Sequence, residues 1–159
     1  MEYWEKLTLN KKIPLAATVL LGALTFYLVR GVLHADPGFI IPFVVASLGL
    51  MPVHEAVHLF AIRLSGFKAV FASTWYSFVF IPVGELARRE MDFTLLAPQV
   101  LTALLLYLVV FAGWKWVPVL LLHLAASTGD FYVAARVHAE KAERIRVVGE
   151  DLYVLKQTS

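Results

Sequence analysis

Residues 54–58, His-Glu-Ala-Val-His, have the types and the spacing of a zinc-binding catalytic motif. Residues four apart lie on one face of a helix, so His54 and His58 can bind the same metal ion. The glutamate between them, Glu55, is placed to act as a general base on a water molecule that the metal activates. The motif therefore predicts a zinc site that hydrolyses a peptide bond.

A catalytic zinc ion usually has three protein ligands and an open position for water. The chain has no cysteine, so the third ligand must be a histidine or an acid. Asp130 is the best candidate, because it lies inside an apolar segment where a lone carboxylate costs about 2.5–3.5 kcal/mol. Its charge and that of Glu55 would together balance Zn²⁺. The other acids considered, Glu85, Glu90 and Asp92, adjoin arginines and are expected on a solvated surface.

Further polar residues are candidates for accessory roles. His123 lies seven residues before Asp130 on the same predicted helical face, about 10 Å along the helix. It either orients a ligand or stabilises an oxyanion, or it packs as a hydrogen-bonded histidine; both interpretations stay open. Pro98 is expected to kink its helix, and the carbonyl freed near Gln99 is a candidate to serve the site. Ser127 is expected to hydrogen-bond back to the helix backbone.

The composition places these residues in a membrane protein. The 159 residues are 60% hydrophobic and 16% charged, whereas soluble domains average about 45–50% and 25%. A net charge of +2 without a basic patch argues against nucleic-acid binding. Four segments reach the roughly 20 apolar residues that cross a bilayer. They predict one membrane α-helical domain, residues 1–159, with four transmembrane helices at about 13–33, 39–64, 93–112 and 117–137.

The distribution of lysine and arginine predicts an orientation. The five segments between or beside the spans contain 3, 1, 4, 1 and 5 of these residues. By the positive-inside rule, both termini and the middle connection are cytoplasmic, with the cell membrane the expected location. The second and fourth spans then run inward, which brings His54 and Asp130 to similar depth in the cytoplasmic half. The first apolar segment is too long for a signal-peptide core and is expected to be retained.

The connection between the second and third spans, residues 67–83, is rich in aromatic and β-branched residues. It predicts a β-hairpin at the cytoplasmic interface, with its turn near Ser73–Trp75. The alternative is an irregular loop with aromatic anchors. A free edge of such a hairpin, at Val70, Phe71 and Ala72, is the candidate substrate-binding strand, because a helical substrate must be extended before cleavage.

The C-terminal tail also has a strand pattern. Apolar and polar residues alternate from Arg146 to Leu155, which is typical of half-buried strands. We therefore predict a C-terminal β-strand pair, and we expect it to join the sheet formed by the middle hairpin.

Four sequence elements, HEAVHLFAIRLSGFK, LLAPQV, HLAASTGDFYVAAR and EDLYVLKQ, resemble a known family in the same order over about residues 45–156. The family is that of the putative zincin peptidases, small multi-pass membrane proteins related to the site-2 proteases. The resemblance implies that His54, His58 and Asp130 are the metal ligands and that Glu55 is the general base.

One element departs from the site-2 protease pattern. That pattern has an asparagine shortly before the proline of its second motif, whereas this chain has Leu95-Leu96-Ala97-Pro98. The accessory role of the asparagine is therefore not carried over, and His123 or Gln99 are the candidates to replace it. Within these residues we also expect no separate regulatory domain of the kind that site-2 proteases have.

The expected function is that of an intramembrane zinc metalloendopeptidase that cleaves membrane-protein or peptide segments within the lipid bilayer. Two alternatives stay open: a membrane metal-ion transporter, and a catalytically silent zinc-binding scaffold. The intact Glu55 favours the enzyme over the silent scaffold. Zinc is the expected metal, although two histidines and a carboxylate also accept iron or cobalt.

Overall fold

The structure, a computed structural model, describes residues 2–73, 78–148 and 151–157. The described residues are mostly helical, with two small antiparallel sheets. The helices are α1 Lys12–Ala35, α2 Ile40–Leu64, α3 Arg88–Leu96, α4 Gln99–Ala112, α5 Val117–Ala126 and α6 Thr128–Ala139. The strands are β1 Glu2–Leu7, β2 Lys68–Ser73, β3 Phe78–Val83, β4 Glu85–Ala87, β5 Arg144–Val148 and β6 Asp151–Gln157.

Three helical stretches of the described chain are long and apolar enough to cross a membrane: Lys12–Ala35, Pro37–Leu64 and Arg88–Ala112. A fourth span is present if Trp114–Ala126 and Thr128–Ala139, which are bent by 44°, count as one. By length and composition, these stretches match the first three predicted spans.

The continuous helix predicted over residues 117–137 is wrong, because α5 ends and α6 begins on either side of Ser127. The expected back-bond is present: the Ser127 hydroxyl donates to the carbonyl of His123 at 3.0 Å. The hydroxyl of Thr128 likewise donates to the carbonyl of Ala125 at 2.9 Å. Hydroxyls that bond to preceding carbonyls bend helices, so two adjacent bonds of this type explain the break.

The third apolar segment is interrupted where the sequence predicts a kink. α3 ends at Leu96, and α4 begins at Gln99 with Pro98 as its N-cap. Proline has no N–H and disfavours helical geometry at the residue before it. The helix also starts earlier than predicted, at Arg88, where the Glu90 carboxylate accepts a 2.7 Å hydrogen bond from the Ala87 N–H.

The middle connection forms the predicted hairpin, so the irregular-loop alternative is wrong. β2 and β3 pair antiparallel in a two-stranded sheet, with Val70 opposite Ile81 and Phe71 opposite Phe80. The turn was predicted near Ser73–Trp75, and its residues 74 and 75 lie outside the described part of the chain.

The C-terminal strand pair, β5 and β6, is confirmed, but it does not join the middle hairpin. It belongs to a separate four-stranded sheet with the order β1-β6-β5-β4. Strands β1 and β4, which complete this sheet on both sides, were not predicted from the sequence. The sheet buries Leu86, Ile145 and Val154 with Met91 of α3 and Val137 of α6. This core explains why the tail pairs with β1 and β4.

The end of α6 is fixed to β6 by charged side chains. The Glu140 carboxylate accepts hydrogen bonds from Arg136 at 3.0 Å and from Lys156 at 2.8 Å. The bond from Lys156 lowers the pKa of the Glu140 carboxyl and raises the pKa of the Lys156 ammonium.

The chain divides into two compact units. The first contains Met1–Asn10, Glu55–Ala97 and Asp130–Ser159, and therefore both sheets. The second contains Lys11–His54 and Pro98–Gly129; within it, α1 packs along α5, and Leu105, Val119 and Leu120 form a small apolar core.

The core of the four-stranded sheet gives a stability prediction. Ile145 is fully buried, whereas Val148 on the same strand is 55% exposed. We expect Ile145→Ala to lower the free energy of unfolding by about 2–5 kcal/mol through loss of apolar burial and a cavity. Val148→Ala, the control, should change it by less than about 0.5 kcal/mol. Chemical unfolding in detergent, followed by tryptophan fluorescence, measures both; equal effects would contradict this description of the core.

Candidate metal centre

Helix α2 carries the three motif residues within little more than one helical turn. His54 and His58 are both buried, at 2% and 7% exposure, and Glu55 follows directly after His54. The helix continues without interruption from Ile40 to Leu64 although Pro52 lies inside it. A continuous helix is what places two imidazoles four residues apart on one face.

The ring of His58 is oriented by hydrogen bonding. Its Nδ1 lies 2.7 Å from the carbonyl oxygen of Thr94 in α3, in a buried position. A carbonyl oxygen only accepts hydrogen bonds, so Nδ1 must carry the proton. When the ring is neutral, Nε2 then carries the lone pair, which is the arrangement of a metal-binding histidine with its second nitrogen bound to a protein acceptor.

Nε2 of His58 faces the carboxylate of Asp130. The separation between Nε2 and the nearer carboxylate oxygen is 3.3 Å. Two donors that each lie about 2.0–2.1 Å from a tetrahedral zinc ion are about 3.3–3.4 Å apart. The ligand atoms of His54, His58 and Asp130 all lie within 4.8 Å of one another. Two imidazoles and a carboxylate at this spacing fit zinc.

Asp130 lies in the first turn of α6, directly after the helix break. The residues at the break are bound to α1: the hydroxyls of Thr18 and Thr128 are 2.7 Å apart, and Thr18 also lies 3.2 Å from the carbonyl of Ala125. A Cβ on Gly129 would meet no atom within 4 Å. Hydroxyl bonds, and not close packing at a glycine, therefore fix the start of the helix that carries Asp130.

The other acids named by the sequence analysis are occupied elsewhere. Glu85 forms ion pairs with Arg144 and Arg146 of β5. The Glu90 carboxylate caps α3, and Asp92 lies 3.5 Å from Nε2 of His138. Asp130 is therefore the acid that the described structure brings to the two histidines.

His123 and Gln99 have different surroundings. His123 is fully buried and its ring meets that of His54 edge to face, with centroids 5.3 Å apart and an interplanar angle of 68°. Gln99 begins α4, where its side-chain oxygen accepts a 2.7 Å bond from the Thr102 hydroxyl. The carbonyl that serves the centre belongs to Thr94, one helical turn before the region near Gln99 named by the sequence analysis.

A cavity of about 210 Å³ opens on the centre, and all its lining residues belong to the first unit. Glu55, His58 and Asp130 line its polar end. The remaining wall is mostly apolar and includes Leu9, Met91, Leu95, Val133, Val147 and Leu152. The cavity thus combines the candidate metal site and a nearby carboxylate at one end with space for an apolar side chain.

The strand that lines the cavity is β3, through the consecutive residues Val79–Pro82. The candidate substrate residues Val70, Phe71 and Ala72 lie on the partner strand β2 and are not among the lining residues; Val70 and Phe71 are 54% and 56% exposed. Sequence alone could identify the hairpin but not which of its strands meets the cavity. Thr94 was not named from the sequence, because it acts through its backbone; the signal that points to it is Pro98, four residues later.

The chain matches the model of a known protein family. A family model described as "Putative zincin peptidase" matches residues 47–144, more than half of the chain. The matched range includes the two histidines, Glu55 and Asp130. No curated protein and no solved structure matches the chain.

The arrangement of His54, His58 and Asp130 leads us to expect a measurable zinc content. Detergent-purified wild type should contain about one zinc ion per chain, and Asp130→Ala should lose it, because catalytic zinc needs three protein ligands. Asp92→Ala is the matched control, since Asp92 pairs with His138 and not with the centre. Elemental analysis of the three proteins decides: zinc retained in Asp130→Ala would exclude Asp130 as the third ligand.

Proposed function

Because the chain belongs to the family described as "Putative zincin peptidase", we propose that it is an intramembrane zinc metalloendopeptidase, similar in type to the site-2 proteases. Its substrates are segments of membrane proteins or membrane-bound peptides. The observation that carries the proposal is the cluster of His54, His58 and Asp130, with Glu55 in the wall of the same cavity as His58 and Asp130.

Each side chain has a distinct part in the proposed reaction. A bound zinc ion supplies a Lewis acid that polarises the scissile carbonyl and activates water. Glu55 accepts the proton of the attacking water and delivers it to the leaving amine, which is the usual work of a carboxylate general base. Thr94 holds the His58 ring in its binding tautomer. His123 is fully buried, so packing against His54 is better supported for it than contact with an oxyanion.

The proposed location is a membrane. The apolar window of α2 has only 6% of its residues buried within the protein. A helix that is apolar around its whole circumference must be covered by protein or by lipid, which supports lipid here. The alternation of positive charge supports cytoplasmic termini, with the centre in the cytoplasmic half of the cell membrane.

The cavity suggests how a substrate is held. Side chains alternate between the two faces of a strand. Four consecutive residues, Val79–Pro82, nevertheless line the cavity. This is expected if the cavity runs along the edge of the strand. β2 occupies one edge of β3. We propose that the substrate adds to the other edge in extended form, with an apolar side chain against Leu95 and Val133.

The role of Glu55 is tested by removing its charge. Glu55→Gln should keep zinc and lose about 10²–10⁴-fold in cleavage rate, since this is the usual contribution of a general base. Glu143→Gln, an exposed residue, is the control. Cleavage of a validated membrane substrate and zinc content are measured together. Full activity in Glu55→Gln would exclude Glu55 as the general base. A zinc-loaded wild type that does not cleave would instead favour the scaffold or transporter alternative.

The choice of β3 over β2 is tested on a pair of facing residues. Ile81 lines the cavity, and Val70 is its partner in the register but is exposed. Ile81→Ala should raise KM about tenfold or more with little change in kcat, since apolar contacts of this size are worth about 1–3 kcal/mol. Val70→Ala should leave both constants unchanged. A larger effect at Val70 would favour the β2 edge instead.

A further inference from the structure

The carbonyl of Thr94 accepts the His58 bond at a special position in its helix. In an α-helix, the carbonyl of residue i accepts a hydrogen bond from the N–H of residue i+4. For Thr94 that residue is Pro98, which has no N–H. The bond before it is normal, because the Ala97 N–H donates to the carbonyl of Phe93 at 2.9 Å. The proline thus removes the helical donor of Thr94.

We propose that Pro98 is a positioning residue for the metal centre. Because proline has no N–H to donate to the Thr94 carbonyl, that carbonyl is available to accept a hydrogen bond from Nδ1 of His58, at 2.7 Å. The bond selects the tautomer of His58 whose Nε2 points to Asp130. The inference rests on the proposed zinc site and assigns to Pro98 a function in metal binding.

Two features favour this role over a simple helix kink. First, Pro98 is fully buried, and the hydrogen bond between His58 and the Thr94 carbonyl is buried as well. A Thr94 carbonyl without a donor would be unfavourable there. Second, the histidine supplies the donor that the proline lacks, and the proline frees the acceptor that the histidine needs. A proline that served only to bend the helix would not require its freed carbonyl to meet a metal-binding residue.

The test is Pro98→Ala, which restores the N–H. Replacing a proline in a helix by alanine ordinarily stabilises the helix, so a purely structural role predicts equal or higher stability with unchanged metal binding. The proposed role predicts that zinc affinity falls about 10–100-fold, as is usual when the partner of a ligating histidine is removed. Zinc affinity is measured by chelator competition, and the absorption spectrum of the cobalt-loaded protein reports the ligand geometry.

Pro42→Ala is the matched control, because Pro42 lies in the first turn of α2, where the missing N–H leaves no helical carbonyl without its donor. It should bind zinc as wild type does. A second variant replaces Leu95 with its α-hydroxy acid, which turns the Thr94 carbonyl into an ester, a weaker acceptor. It should weaken zinc binding as well, and it decides the question if Pro98→Ala does not fold.

The outcomes separate the two proposals. A wild type that binds no zinc overturns the metal site and this inference with it. A wild type that binds zinc, together with a Pro98→Ala or ester variant of equal affinity and identical cobalt spectrum, overturns this inference alone.

Discussion

A single buried hydrogen bond, from Nδ1 of His58 to the carbonyl of Thr94, connects the chemistry of this protein to its fold. An imidazole in apolar surroundings must have its polar atoms paired, because water is not available to replace a missing partner. Pairing Nδ1 with a backbone carbonyl leaves only Nε2 to bind a ligand. The placement of α3 against α2, and the interruption that ends α3, both serve this bond.

The two kinds of secondary structure contribute different parts of the site. Helices α2 and α6 supply the candidate metal ligands. The α2 helix fixes the spacing of His54 and His58, and the first turn of α6 fixes the position of Asp130. Strand β3 and the core of the four-stranded sheet supply the walls of the cavity. Rigid helices suit metal ligands, which tolerate little displacement, while a strand edge suits a substrate whose backbone is extended.

How much the sequence could predict depended on the range of each interaction. The spacing of His54 and His58 depends on a single helical turn, so the sequence alone predicted that both histidines lie on one face. Asp130 was identifiable because acids are rare in apolar segments. The break at Ser127 was not predicted, because apolar composition continues through it and only the bonds of Ser127 and Thr128 interrupt the helix.

Longer-range pairings were out of reach for the sequence. The strand pattern of the tail was correct, but its partners β1 and β4 are short and distant in sequence, and nothing in their composition marks the pairing. The proline signal was also correct, yet the freed carbonyl was sought near Gln99. Counting four residues back from Pro98 would have given Thr94, although the identity of its donor, His58, depends on how the helices pack.

The bond between Thr18 and Thr128 bears on which changes α1 can accept. Residue 18 lies outside the range that matches the family model, 47–144, and most of α1 is apolar and exposed. A threonine-to-valine replacement there barely alters shape or the length of the apolar segment. It nevertheless removes a hydroxyl at the start of the helix that carries Asp130. Tolerance to substitution is therefore uneven along α1. Any apolar residue suffices at most of its positions, whereas residue 18 needs a hydroxyl because it bonds to Thr128 at the start of α6.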